Sequence, residues 1–121
     1  RMGGNKVQGR TEGAQSGSRD RIVADARAVE EAGVCAFVIE AVPAALATEI
    51  TANAAVPTIG IGAGVNCDGQ VLVLHDLLGL SERSFTFAKA YSNLRQLSLN
   101  AVAEYVSDVQ NRRFPDSTNS F

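Results

Sequence analysis

Phe37-Val38-Ile39-Glu40-Ala41-Val42-Pro43 is an apolar run interrupted by a single carboxylate. The run is too short for a buried helix, and Gly33 and Pro43 bound it, so it reads as a fully buried strand of a parallel sheet. Folds with parallel strands bind their ligands outside the carboxyl ends of those strands, and Glu40 lies at that end of this one. Two readings of Glu40 stand side by side. It is a functional carboxylate, or it satisfies backbone donors at the next helix start or pairs with an arginine.

Before this strand, Ile22, Val23, Ala26, Val29 and Ala32 recur at helical spacing, with Asp25, Arg27, Glu30 and Glu31 mostly off that face. Ser18 or Asp20 is placed to cap the helix and Gly33 to end it, which puts the strand over residues 34–39. After it, Pro43 suits a first helical turn, and an alanine-rich helix over 44–54 is amphipathic through Leu46, Ile50 and Ala54. Val56-Pro57-Thr58-Ile59-Gly60-Ile61-Gly62 reads as the next strand. Helix, strand, helix, strand at this spacing is a parallel α/β pattern.

Gly60-Ile61-Gly62-Ala63-Gly64 invites comparison with a dinucleotide-binding turn, but such a turn must open a helix, and Val65-Asn66-Cys67-Asp68-Gly69 is turn-like. The plainer reading is that glycines at a strand end admit a tight turn or close backbone approach. Residues 70–74 are predicted as a third strand, with His75 and Asp76 at its carboxyl end. A parallel crossover needs about a dozen residues, and residues 63–69 fall short, so either the crossover is abbreviated or one strand is misassigned. A lone histidine such as His75 is more often structural than catalytic. From Phe85 to about Asn111 the spacing is helical, as one helix or as two broken near Ser98 or Asn100. Residues 1–19 are rich in glycine and serine and read as a loop, with no helix before about Arg19. The alternative to a plain linker is a lid that orders over a ligand, with Lys6 and Arg10 facing an anionic substrate.

With 121 residues, 45% of them apolar, the chain is one domain or a piece of one. Eleven basic against 13 acidic residues give a net charge of −2, with no field for nucleic acid. No apolar run approaches the ~20 residues that span a bilayer, and the first residues do not resemble a signal peptide, so no membrane partner is expected. The two cysteines, Cys35 and Cys67, lack metal-site spacing and fit a reducing, cytoplasmic setting.

Four motifs in one order carry a family likeness: Gly3-Gly4-Asn5-Lys6-Val7-Gln8-Gly9-Arg10, Val38-Ile39-Glu40-Ala41-Val42-Pro43, Pro57-Thr58-Ile59-Gly60-Ile61-Gly62-Ala63-Gly64 and Asp68-Gly69-Gln70-Val71-Leu72-Val73-Leu74-His75-Asp76. Together they resemble the ketopantoate (3-methyl-2-oxobutanoate) hydroxymethyltransferases, and Phe114-Pro115 with Ser120-Phe121 fits that family's carboxyl end. The resemblance implies a (β/α)8 TIM barrel, with residues 1–121 as its carboxyl-terminal part, about strands six to eight and the closing helices, and residues 1–19 as an active-site loop. It implies transfer of a hydroxymethyl group from the co-substrate 5,10-methylenetetrahydrofolate to 3-methyl-2-oxobutanoate, giving 2-dehydropantoate for pantothenate synthesis. It also implies a magnesium ion that stabilises the enolate, and a homo-oligomer when the protein is complete.

The family's proton-accepting glutamate lies in the strand-six motif and matches Glu40. Asn5 departs from a usual aromatic and Ala41 from a common cysteine. The family's metal-binding carboxylates and its substrate-contacting serine and lysine fall upstream of Arg1, so no metal or cofactor ligand is assigned here, and a partial chain is expected. Beside the enzyme stand two other readings. One is a non-catalytic barrel fragment that acts at most as an association or scaffold segment. The other, weaker one is a nucleotide-binding module on residues 60–64.

Overall fold

The computed structural model describes residues 6–8, 16–82 and 85–121. They fall in two compact units, Arg1–Leu72 and Val73–Phe121.

The first unit is a four-stranded, all-parallel sheet in the order β1-β2-β3-β4. Its strands are β1 (Lys6–Gln8), β2 (Phe37–Glu40), β3 (Thr58–Ile61) and β4 (Gly69–Gln70), with α1 (Ser16–Glu31) between β1 and β2 and α2 (Ala44–Asn53) between β2 and β3. The α/β class and the β2–α2–β3 unit follow the sequence pattern. Two readings of the first 19 residues need correction. Lys6–Gln8 is a strand paired with β2, so there are four strands rather than three, and α1 opens at Ser16 rather than near Arg19. A three-residue strand between Asn5 and Gly9 has no periodicity to announce it; its pairing partner defines it. The remainder of the expected active-site loop lies outside the described residues.

The core lies on one side of the sheet. Phe37 and Ile39 of β2 are buried against Ile22 and Ala26 of α1 and Leu46, Ala47 and Ile50 of α2, together with Val42 and Ala63. Burial alternates along β2, so Val38 and Glu40 take the other face, and β3 alternates in step, with Thr58 and Gly60 on the helix side.

The connection from β3 to β4 is the abbreviated crossover that the sequence leaves open. Its residues 62–68 hold no helix, yet the strands pair in parallel, Ile59 with Gly69 and Gly60 with Gln70. The short span suffices because β4 starts level with the middle of β3, so the chain retreats only about two residues, or ~7 Å, before pairing. The connection packs along α2 in place of a helix. Asn66 Nδ2 donates to Thr48 Oγ1 (3.1 Å), and a Cβ on Gly64 would lie 2.5 Å from Ala44 Cβ. Gly60 makes room on the same side, where a Cβ would come within 2.9 Å of Cys67 Sγ and 3.0 Å of the Gln70 amide.

Beyond Gln70 the predicted third strand fails. Val71 N still donates to Gly60 O (3.0 Å), but Gly62 has already left the ladder with a φ of +62°, so Leu72 onward meets no strand there. Leu74, His75, Asp76 and Leu77 are instead a single helical turn, α3 (Leu74–Leu77), in the second unit.

Within that unit α3 is followed by α4 (Leu94–Gln110). Residues 85–93 are not helical, and α4 runs unbroken through Ser98 and Asn100. Those polar residues bond along the helix surface, Ser98 Oγ to Leu94 O and Gln96 Nε2 to Asn100 Oδ1 (both 2.8 Å), and so leave it intact. Asn93 sets the start by accepting from Gln96 N. The α3 turn supplies further caps, with Leu94 N donating to Leu78 O and Arg95 N to Gly79 O (both 3.1 Å). No residue of α4 is buried among the described residues.

Candidate active site

Glu40 is the last residue of β2, opposite Gln8 of β1 on one side and Ile61 of β3 on the other. Its side chain is half-buried on the face away from the helices, and its Oε2 is shielded from solvent. That is a carboxylate at the carboxyl end of a central parallel strand, with a neighbour on each side and no packing role in the helix-side core.

The backbone turns immediately after it. Ala41 has a φ of +53°, in the left-handed region that L residues seldom enter, and its N–H donates to Ile61 O (2.9 Å). Val42 then enters the core at 2% exposure, and Pro43 caps α2, with Ala47 N donating to Pro43 O.

At the opposite, amino end of the strands is a cluster that sequence reasoning misses. Thr58, fully buried, shares a 2.8 Å hydrogen bond with Thr51 Oγ1 of α2. Asp68 Oδ2 accepts from both Thr58 N (2.8 Å) and Thr58 Oγ1 (3.0 Å), which holds this carboxyl below the usual aspartate range. The one available signal was a threonine at a helix-side position of an apolar strand, where a hydroxyl demands partners. This cluster ties the β3–β4 connection to α2 and holds no chemistry that faces Glu40's side of the sheet.

The other sequence candidates separate. His75 is exposed and Asp76 buried, both on α3 in the second unit. Lys6, in β1, stands at the register of Val38 of β2, and Arg10 lies outside the described residues. The dinucleotide reading of residues 60–64 is overturned, because the chain passes through residues 65–68 into β4 without opening a helix to meet a pyrophosphate. A cavity of about 230 Å³ between α1 and α2, lined by Val23, Ala26, Phe37 and Ile50 among others, lies on the helix side of β2. Glu40 faces away from it.

The family profile described as ketopantoate hydroxymethyltransferase matches residues 1–117. The chain belongs to the ketopantoate hydroxymethyltransferase family. It is 53% identical to the 3-methyl-2-oxobutanoate hydroxymethyltransferase of Geobacter sulfurreducens and 49% identical to that of Geotalea daltonii, in each case over 100% of this chain and 44% of the relative. Against the enzyme of the same name from Caldivirga maquilingensis it is 51% identical over 94% of this chain and 42% of the relative. The chain thus spans somewhat under half the length of these relatives, which are transferases by name. Among the described residues no helix is long and apolar enough to cross a membrane. Nor do three His, Cys, Asp or Glu side chains gather among them as a metal-holding group.

Proposed function

We propose that this chain supplies the proton-accepting half of a hydroxymethyl transfer from 5,10-methylenetetrahydrofolate to 3-methyl-2-oxobutanoate, giving 2-dehydropantoate for pantothenate synthesis. The observation that carries the reading is Glu40 at the carboxyl end of β2, on the helix-free face of a parallel sheet, in a chain of this family. The sheet is read as part of a (β/α)8 barrel. With β2 as the sixth strand, β1 becomes the fifth, and β1 to β4 are four consecutive strands of the carboxyl-terminal part. In such a barrel the helix-free face is the interior, and strand carboxyl ends form the reactive mouth.

Glu40 takes the C3 proton of the 2-oxo acid. The C–H electron pair moves toward the 2-oxo group as the enolate forms. C3 then bonds to the methylene carbon, whose two bonds to folate nitrogens break, with water supplying the hydroxyl oxygen. The C3 proton and one water proton pass to those nitrogens, and tetrahydrofolate leaves. A positioned carboxylate contributes typically 10²–10⁴-fold to such a step. The magnesium ligands belong to the part of the protein outside this chain, so the segment is not a catalyst alone. The complete protein is read as a cytoplasmic homo-oligomer, on the family likeness.

Glu40→Gln in the complete protein keeps size and hydrogen bonding but removes the basic oxygen. Deuterium exchange at C3 of 3-methyl-2-oxobutanoate is expected to fall about 10²–10⁴-fold, with KM much less changed. Exchange at the unmodified rate would remove Glu40 from this role.

A further inference from the structure

Ala41 sits in a conformation its sequence neighbours do not require. Among the described residues only Ala41 and Arg112 are non-glycines with positive φ, and Ala41 directly follows Glu40. A left-handed alanine is disfavoured by roughly 1–2 kcal/mol, because Cβ crowds the following carbonyl oxygen. Such outliers persist where surrounding structure imposes them, and here the imposing contacts are visible. Ala41 N is held by Ile61 O at 2.9 Å, one step beyond the Glu40–Ile61 pair, and Val42 is buried with Leu46 and Ala63.

The effect of the turn follows from strand periodicity. Were β2 to continue extended, side chains would alternate, and Val42 would share the face of Val38 and Glu40. Instead Val42 is 2% exposed in the helix-side core. One left-handed residue thus moves the isopropyl group from above Glu40 to beneath the sheet. It also ends the strand at the carboxylate and delivers the chain to Pro43 at the α2 cap.

We propose that Ala41 is the positioning residue for Glu40. Its pinned left-handed turn fixes the carboxylate at the strand end and clears Val42 from the face on which the 2-oxo acid must lie. This deepens the proton-transfer reading above and rests on it. The property required at position 41 is tolerance of a left-handed φ. Asparagine and valine separate the two variables, since both are larger than alanine, but asparagine visits the left-handed region readily and a β-branched residue does not.

The test compares A41V, A41N, A41G and E40Q in the complete protein, reading C3 deuterium exchange, kcat and KM separately, and thermal midpoint. A41V is expected to lose at least about tenfold in kcat and exchange, since an ångström of misplacement at a reacting group costs up to 10²-fold. Its KM should change far less. Because a smaller folded fraction would also lower apparent kcat at constant KM, kcat and exchange are expressed per folded molecule, from the amplitude of the thermal unfolding transition. A41N and A41G should restore exchange to within about threefold of the unmodified protein. A folded A41V with unmodified kcat overturns the proposal. So does a folded A41G or A41N that loses exchange as deeply as A41V is expected to, and this arm holds even if A41V does not fold. E40Q separates the two levels: unmodified exchange in E40Q defeats the general-base reading itself. A depleted E40Q beside a fully active A41V defeats only the role of Ala41.

Discussion

Gly33 and Gly64 offer a controlled pair for testing how the β3–β4 connection is held. Their φ values are +83° and +82°. Alanine at either enters the left-handed region at a cost of roughly 1–2 kcal/mol, partly offset by about 0.4–1 kcal/mol from a less flexible unfolded chain. These contributions are common to both, so the two substitutions differ only in what the new methyl meets. At Gly33 nothing lies within 4 Å; at Gly64 the methyl would be 2.5 Å from Ala44 Cβ and 3.1 Å from Ala44 Cα. Carbon atoms pack at about 3.5–4.0 Å, so the Cβ pair overlaps by roughly 1 Å, and overpacking of that kind costs about 1–3 kcal/mol. G33A is therefore expected to cost about 1 kcal/mol and G64A about 2–4 kcal/mol. Urea unfolding of the complete protein measures both, and a third protein closes the cycle. In an A44G background the Cβ–Cβ overlap is gone, so the cost of G64A there should fall toward that of G33A. A G64A protein no less stable than G33A would refute the packing of residues 62–68 along α2.

Thr58→Val removes the hydroxyl that joins Thr51 to Asp68. Thr51 is only half-buried and Asp68 exposed, so water can take the lost places, and a loss of about 0.5–1.5 kcal/mol in urea unfolding is expected. Asp68 is held below the ordinary aspartate range by the N–H and hydroxyl of Thr58, so its charged form is favoured on folding. The stability gap between the unmodified protein and D68N should be full above the unfolded aspartate value of about 3.9 and close only as pH falls below it; a gap that instead opens toward acid would contradict this. His75 is exposed on α3, and His75→Asn should retain most turnover; a loss as deep as that of Glu40→Gln would overturn this expectation. The 121-residue chain alone should sediment as associated or poorly folded material without turnover, given outer strands at β1 and β4 and exposed Leu97 and Val102 on α4; a monomer with turnover would refute it.

The parts of the fold legible in the sequence are those whose stability is local or periodic. Ile22, Val23, Ala26 and Val29 mark one face of α1, and Leu46 and Ile50 mark the inward face of α2. The strand between them was legible because its apolar run is bounded by Gly33 and Pro43. The parts that escaped depend on a partner distant in sequence. Lys6–Gln8 is a strand only because Val38, Ile39 and Glu40 lie beside it. Val71 to Leu74 has a strand's composition and is not one, since the ladder it would join ends at Gly62. Phe85, Phe87 and Tyr91 mimic helical content, but the structure starts α4 at Leu94, where Asn93 and the carbonyls of the α3 turn cap it. Glu40 was legible for a different reason, as a charge in a run that packing alone would keep apolar.

On the proposed reading the two ends of the strands divide stability from chemistry, and their residue types are consistent with that division. At the amino end, Thr51, Thr58 and Asp68 satisfy one another, with Thr58 fully buried and joined to both. These bonds tie α2, β3 and the β3–β4 connection together at the amino end. At the carboxyl end the backbone twice takes a left-handed turn, at Ala41 after β2 and at Gly62 after β3. Glycine bears that conformation without strain, whereas alanine resists it, so the two turns are not equivalent. The costlier one stands beside Glu40, where Val42 leaves the face proposed to be reactive. Strain retained next to a half-buried carboxylate, with a hydrogen-bonded cluster at the far end, is a distribution expected of a parallel sheet that works at its carboxyl strand termini. The site proposed at the carboxyl edge of β2 thus draws on a backbone feature, the left-handed Ala41, as well as on the carboxylate beside it.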